Sequence, residues 1–139
     1  MTQAAVSSAL ESALATWAAG QGLAVAWENV NLTPEPSTTY LRAFVLPGNT
    51  LAPDLEARMR SLYGVFQVSI VAPAGEGAGP ADDLFTSLEA VFSPSTPLAA
   101  DGGLSVWFTQ PLSRGPAMPE ADRYVVPCSL PYQAHYLTT

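Results

Sequence analysis

The stretch Leu62–Phe92, LYGVFQVSIVAPAGEGAGPADDLFTSLEAVF, changes its hydrophobic period partway along and so decides the fold class. Up to Val71 the apolar residues alternate: Phe66, Val68 and Ile70 share one face, with Gln67 and Ser69 on the other. That period of two is the signature of a strand with one buried face. From Ala81 the spacing shifts to three and four. Ala81, Leu84, Phe85, Leu88, Val91 and Phe92 line a broad helical face, which Ser93-Pro94 ends. Between the two periods, residues 73–79 are a glycine-rich turn. Pro80 is placed at the first helical position, where its missing N–H costs nothing, and Asp82 and Asp83 lie in the first turn, where the helix dipole favours negative charge.

The same reading extends in both directions. Residues 3–19 predict a helix with an apolar stripe of Val6, Leu10, Leu14 and Trp17, stopped by Gly20 and Gly22. Leu23–Glu28 alternates as a half-buried strand, and Asn29–Thr38, with Pro34 and Pro36, reads as a loop. Tyr40–Leu46 is apolar on both parities apart from Arg42, which predicts a central strand. Residues 51–60 fit a short helix or an irregular crossing. Residues 94–103 read as a loop, 104–110 as a strand, 111–119 as a Pro/Gly-rich connection and 124–136 as the last strand. In that last strand Pro127 and Pro131 share parity, so both missing donors fall on one side, which predicts an outer sheet edge. The expected architecture is a single α+β domain over residues 1–139. A mainly antiparallel sheet of about four to five strands carries two helices packed on one face.

Composition excludes several functions. Twelve Asp plus Glu stand against five basic residues, a net charge of −7, and all five basic residues are arginine. A lysine-free acidic chain has little with which to neutralise a phosphate backbone, so no specific nucleic-acid binding is expected. Lysine Schiff-base and phosphate-loop mechanisms are excluded outright. Only 12% of residues are charged, so the surface must be covered largely by small and apolar side chains, which favours association. Met1-Thr2-Gln3 has no basic leader, and no apolar run approaches the roughly 18 residues of a membrane span, so neither a signal peptide nor a membrane role is expected.

Each candidate chemistry has a plainer reading. Gly75–Gly79 precedes a helix as a phosphate loop would, but it lacks the lysine and hydroxyl of one, and Glu76, Asp82 and Asp83 would repel an anion. Those three carboxylates do not converge on a cation, because consecutive helical residues point about 100° apart. His135 is the sole histidine, and no nucleophile-elbow sequence accompanies it. Cys128, the only cysteine, reads as a small packed residue. No catalytic residue, metal ligand or cofactor is expected. Trp107 is the aromatic exception: it shares parity with Ser105 and Thr109, while Val106 and Phe108 hold the other face. It therefore either faces away from the helices as a subunit anchor or is covered by the 111–123 connection. Trp107, and Arg114 within that connection, are the candidate subunit-interface residues.

YLRAFVLP (40–47), YGVFQVSIVAPAGEG (63–77) and ADDLFTSLEAVF (81–92), preceded by VAWENV (25–30) and TPEPSTTYLR (33–42), together resemble the phage tail terminators, the class of the minor tail protein U of phage lambda. The resemblance covers roughly residues 5–92, and VPCSLPYQ (126–133) fits more loosely. It implies an α+β structural protein of a phage or prophage tail, without catalytic residues. Such a protein would form a hexameric ring on the tail tube, stop tube growth and present a surface to neck or head-completion proteins. The implied place is the virion tail, with the host cytoplasm during assembly. Weak self-association would leave the isolated chain monomeric until the tube end templates the ring. A domain of this length is about 37 Å across, so six in a ring leave a hole of about that width. The rival classes are a different head–tail joining or tail-completion protein, and a small-ligand-binding or enzymatic α+β domain.

Overall fold

The computed structural model describes residues 2–28, 38–51, 59–75, 77–95, 97–100, 104–120 and 123–137. Helix α1 (Thr2–Gln21) leads into strand β1 (Ala24–Trp27), then β2 (Tyr40–Leu51) and β3 (Met59–Pro73). Helix α2 (Gly79–Val91) follows, and β4 (Leu98–Ala99), β5 (Ser105–Phe108), β6 (Ser113–Arg114), β7 (Met118–Glu120) and β8 (Arg123–Leu137) complete the chain.

The helices follow the predicted spacing. Val6, Leu10, Leu14 and Trp17 are all buried along one side of α1. Gly22 ends that helix at φ +71°, with Leu23 N–H on Ala18 O (2.9 Å) and Gly22 N–H on Ala19 O (3.2 Å). This is the Schellman arrangement, and it needs a residue without Cβ strain in the left-handed region. In α2 the N-cap is Ala78, so Pro80 stands at the second helical position, one place later than expected. Asp82 lies in the first turn.

The sheet is larger than expected and mixed. Among the described residues it has eight strands, ordered β1-β2-β3-β8-β5-β4, with β6 and β7 also pairing with β8. β1 runs parallel to β2, from Ala24↔Tyr40 to Trp27↔Ala43, and the other pairings are antiparallel. The expectation of four to five strands fails at the short ones. β4 lies inside residues read as a loop, β6 lies inside the Pro/Gly-rich connection, and β7 spans its end. Most of 51–60 falls outside the described residues, but Leu51 belongs to β2, and Met59 and Arg60 to β3.

The prolines of β8 do not mark an outer edge. β3 pairs along the whole of β8, and the segment carrying β5, β6 and β7 covers its other side. Pro131 O accepts Thr109 N–H (3.3 Å) and Pro127 O accepts Gly115 N–H (2.8 Å). Both residues therefore turn towards that broken segment. Pro131 sits opposite the gap between β5 and β6, and Pro127 opposite the gap between β6 and β7. A neighbouring strand that breaks where a donor is missing accommodates proline in an interior strand.

Helix α1 packs on β1 and β2 at one end of the strand order and on β4 at the other, so the sheet curls around it, and α2 packs on β3 and against α1. The core between the layers includes Leu10, Leu41, Phe66, Ile70, Leu88, Phe92, Val106 and Leu130. The Phe92 ring meets Phe66 and Phe108 edge-on, each at 5.7 Å between centroids. Trp17 Nε1–H donates to Ser87 Oγ (2.9 Å), joining the helices. On the opposite sheet face Tyr40, Val71 and Val125 form a small second cluster. No helix among the described residues is long and apolar enough to cross a membrane.

Candidate interaction surfaces

Cross-strand partners share a face, so the register assigns every residue of the sheet to the helix side or to the outer side. Leu41, Ala43 and Val45 of β2 face the helices, which turns Arg42, Phe44 and Leu46 outward. Across the sheet the outer rows are Leu46–Val65–Pro131, Phe44–Gln67–Ser129–Ser113 and Tyr63–Gln133–Trp107. Met118, opposite Val125, lies on the same side.

Among the described residues the exposed large hydrophobics are Phe44 (39%), Leu46 (45%), Trp107 (44%) and Met118 (47%), and all four fall on this one face. Trp107 thus faces away from the helices and stands 44% exposed rather than covered by the connection that follows it. Phe44 and Leu46 were missed as surface residues, because a strand apolar on both parities reads as buried on both sides. The strands of this face carry few charges. Arg42, near one end, holds Glu120 (3.2 Å) and the Tyr40 hydroxyl (3.0 Å), and its guanidinium lies 5.7 Å from the Tyr40 ring. Glu120 raises the Arg42 pKa further, so the arginine stays charged.

Arg114 is oriented differently. It stands opposite Cys128, whose side chain belongs to the core, and so points to the helix side, where it pairs with Asp82 at the start of α2. The two candidate interface residues therefore lie on opposite faces of the sheet. The ion pair fastens β6 to α2, and both side chains remain part-exposed.

A second charge-poor surface lies on the helix layer. Ala5, Ala9, Ser12 and Thr16 of α1, together with Leu98 and Ala100, line a groove of about 330 Å³. Small residues recurring every three or four positions leave the helix backbone approachable along that line. Near the other edge Glu28 accepts the Val45 N–H (3.0 Å), continuing β2's hydrogen bonding where β1 stops. Burial, and secondarily the Glu28 charge, raises the pKa of Glu11.

The remaining candidates resolve into structural roles. Ser61 Oγ lies 2.7 Å from His135 Nδ1 across β3 and β8. A hydroxyl beside an imidazole is the first half of a nucleophilic pair. However, Ser61 is only 3% exposed, so its oxygen is not presented to a substrate. Asp83 is exposed on α2. Glu76 lies outside the described residues.

Cys128 is fully buried, with its thiol 3.8 Å from Val126 O, and burial pushes its pKa up to about 11. Because the folded state holds this proton more tightly than the unfolded chain, the group favours folding below about pH 9. That contribution is lost as pH rises through about 11. At pH 8 an alkylating reagent is expected to label Cys128 only in denaturant, as read by intact mass. Rapid labelling of the native protein would contradict this burial.

A family profile described as "Phage tail terminator protein" matches residues 5–132. A solved structure shares 34% sequence identity with the chain, covering 100% of this chain and 99% of its own, with a TM-score of 0.83. No curated protein matches.

Proposed function

Because the chain belongs to the phage tail terminator family, a structural family of the virion tail, we propose that it caps the end of the tail tube as a ring. The ring, a hexamer of the kind the class of lambda tail protein U implies, ends tube polymerisation and offers its far side to neck or head-completion proteins. The observation that carries this reading is the family match over nearly the whole chain. The gathering of all four exposed large hydrophobics on one face supports it, since such a patch on a sparsely charged protein marks an association surface. On this reading Trp107 contacts a neighbouring subunit as an aromatic anchor, and Arg114, part-exposed beside Asp82, contributes a rim contact. The acidic excess keeps the passing genome from adhering to the ring. Assembly takes place in the host cytoplasm.

Removal of the gene tests the reading directly. Electron microscopy of particles made without this protein is expected to show headless tails with tubes of uncontrolled length. Tails of normal length that fail only to join heads would reassign the protein to neck completion. Intact infectious particles would exclude both roles.

A further inference from the structure

We infer that the open side of β2 is guarded against strand pairing by three successive devices, the Glu28 carboxylate, Pro47 and a bulge at residues 48–49, and that without them a second copy would pair there. Among the described residues β1 pairs with β2 only as far as Ala43, and no strand follows it on that side, although β2 runs on to Leu51. Leu46, Pro47, Gly48 and Thr50 are exposed along this stretch. A row of unpaired main-chain groups on a sheet edge is a template for another strand.

Each main-chain donor on this edge up to the bulge is occupied or missing. Alternate residues turn their N–H to the same side, and Val45 N–H points away from β3, onto Glu28 Oε1 at 3.0 Å. In the parallel register Glu28 is the next residue after the Trp27↔Ala43 pair, so its own carbonyl would take that N–H if β1 continued. The carboxylate stands in for the carbonyl, and it offers an incoming strand no donor. The next N–H on that side would belong to residue 47, which is proline and has none. Beyond it the ladder passes from Pro47↔Gly64 to Thr50↔Leu62, so Gly48 and Asn49 together stand against Tyr63 and bend the edge. Charge, proline and bulge are each known means of blunting an edge, and here they follow one another directly.

The strand this edge would take is β2 of a second copy. Antiparallel about Leu46, residue 45 of each copy would face residue 47 of the other, allowing about four main-chain hydrogen bonds once position 47 carries an N–H. Leu46, 45% exposed, would meet Leu46 of the second copy at the close, non-hydrogen-bonded position between them. Such a pair is two-fold and closed, so it would withdraw copies from the head-to-tail contacts of a ring. That benefit rests on the ring reading above, whereas the guard itself does not.

Hydrogen exchange and native mass test the assignment. The Val45 amide of Glu28→Ala is expected to exchange about tenfold or more faster than in the wild type, the scale of a hydrogen bond to a charged group. Glu28→Gln, which keeps an acceptor, should restore most of the protection. Unchanged protection in Glu28→Ala would overturn the role of the carboxylate, since the main chain of residue 28 would then close the edge unaided. Glu28→Ala combined with Pro47→Val is expected to double the native mass as concentration rises, with circular dichroism unchanged. Adding Leu46→Lys, which sets like charges opposite each other, should return the wild-type mass. A folded double variant that keeps the wild-type mass at every concentration overturns the guard. So does a dimer indifferent to Leu46→Lys, because it forms elsewhere. If the double variant does not fold, the exchange measurement decides by itself. None of these outcomes bears on the terminator role, which falls only if gene deletion leaves tail length unchanged.

Discussion

Gly64→Ala is expected to destabilise the protein by about 3 kcal/mol or more, at the upper end for a core overpacking change. Gly64 lies opposite Tyr132 in the β3–β8 ladder, and the buried Tyr132 ring crosses over it, its hydroxyl accepting from Gln3 Nε2 (3.3 Å). A Cβ at Gly64 would stand 2.6 Å from Tyr132 Cζ and 2.7 Å from Leu46 O. The first contact could be relieved only by turning out a ring held on all sides. The second is backbone, so relief there requires β2 to move relative to β3. Gly20→Ala is the control: it lies within α1, and nothing stands within 4 Å of its Cβ position. There alanine should stabilise by up to about 1 kcal/mol through backbone entropy. Urea denaturation reads both changes. A Gly64→Ala midpoint equal to wild type would show that the Tyr132 ring does not occupy the space above the glycine.

Phe92→Ala is expected to cost about 3–5 kcal/mol, the range for deleting a buried phenylalanine. Phe92 stands just past the end of α2, fully buried, with its ring edge-on to Phe66 of β3 and Phe108 of β5. It couples one helix to two strands that are not neighbours in the sheet. The loss therefore combines a cavity with two aromatic contacts worth about 0.5–1.5 kcal/mol each. Phe92→Leu should recover most of the volume but neither ring contact. A double-mutant cycle with Phe108→Leu should show coupling in that range, and strict additivity would mean that the ring geometry contributes nothing beyond burial.

The parts of this fold legible in the sequence are those long enough to show a period. Val6, Leu10, Leu14 and Trp17 announce α1, and Phe66, Val68 and Ile70 announce β3, because each face is buried along its whole length. Leu98–Ala99, Ser113–Arg114 and Met118–Glu120 are too short for any period, and they are strands only because β5 and β8 offer them edges. The shared parity of Pro127 and Pro131 gives the side of their missing donors but not its setting, since a missing donor is tolerated wherever the neighbour has no acceptor in register. The parallel direction of β1 is not written in its alternation at all. For the candidate surface, the parity of Trp107 was enough to turn it outward. Phe44 and Leu46 were hidden by their own hydrophobicity. The partner of Arg114, thirty-two positions away in Asp82, follows only from how β6 lies against α2.

The curl of the sheet around α1 has a consequence for how the chain is made. α1 is synthesised before every strand it packs on, yet those strands come from both ends of the strand order, and Gln3 reaches Tyr132. Its apolar stripe therefore leaves the ribosome more than a hundred residues before its cover is complete. At about 5–20 residues per second, that interval lasts roughly 5–25 s. Until then the stripe is exposed to association, and Glu11, the one charged side chain of α1, does little to discourage aggregation. Soluble yield should consequently depend more on nascent-chain handling and growth temperature than on the stability of the finished domain.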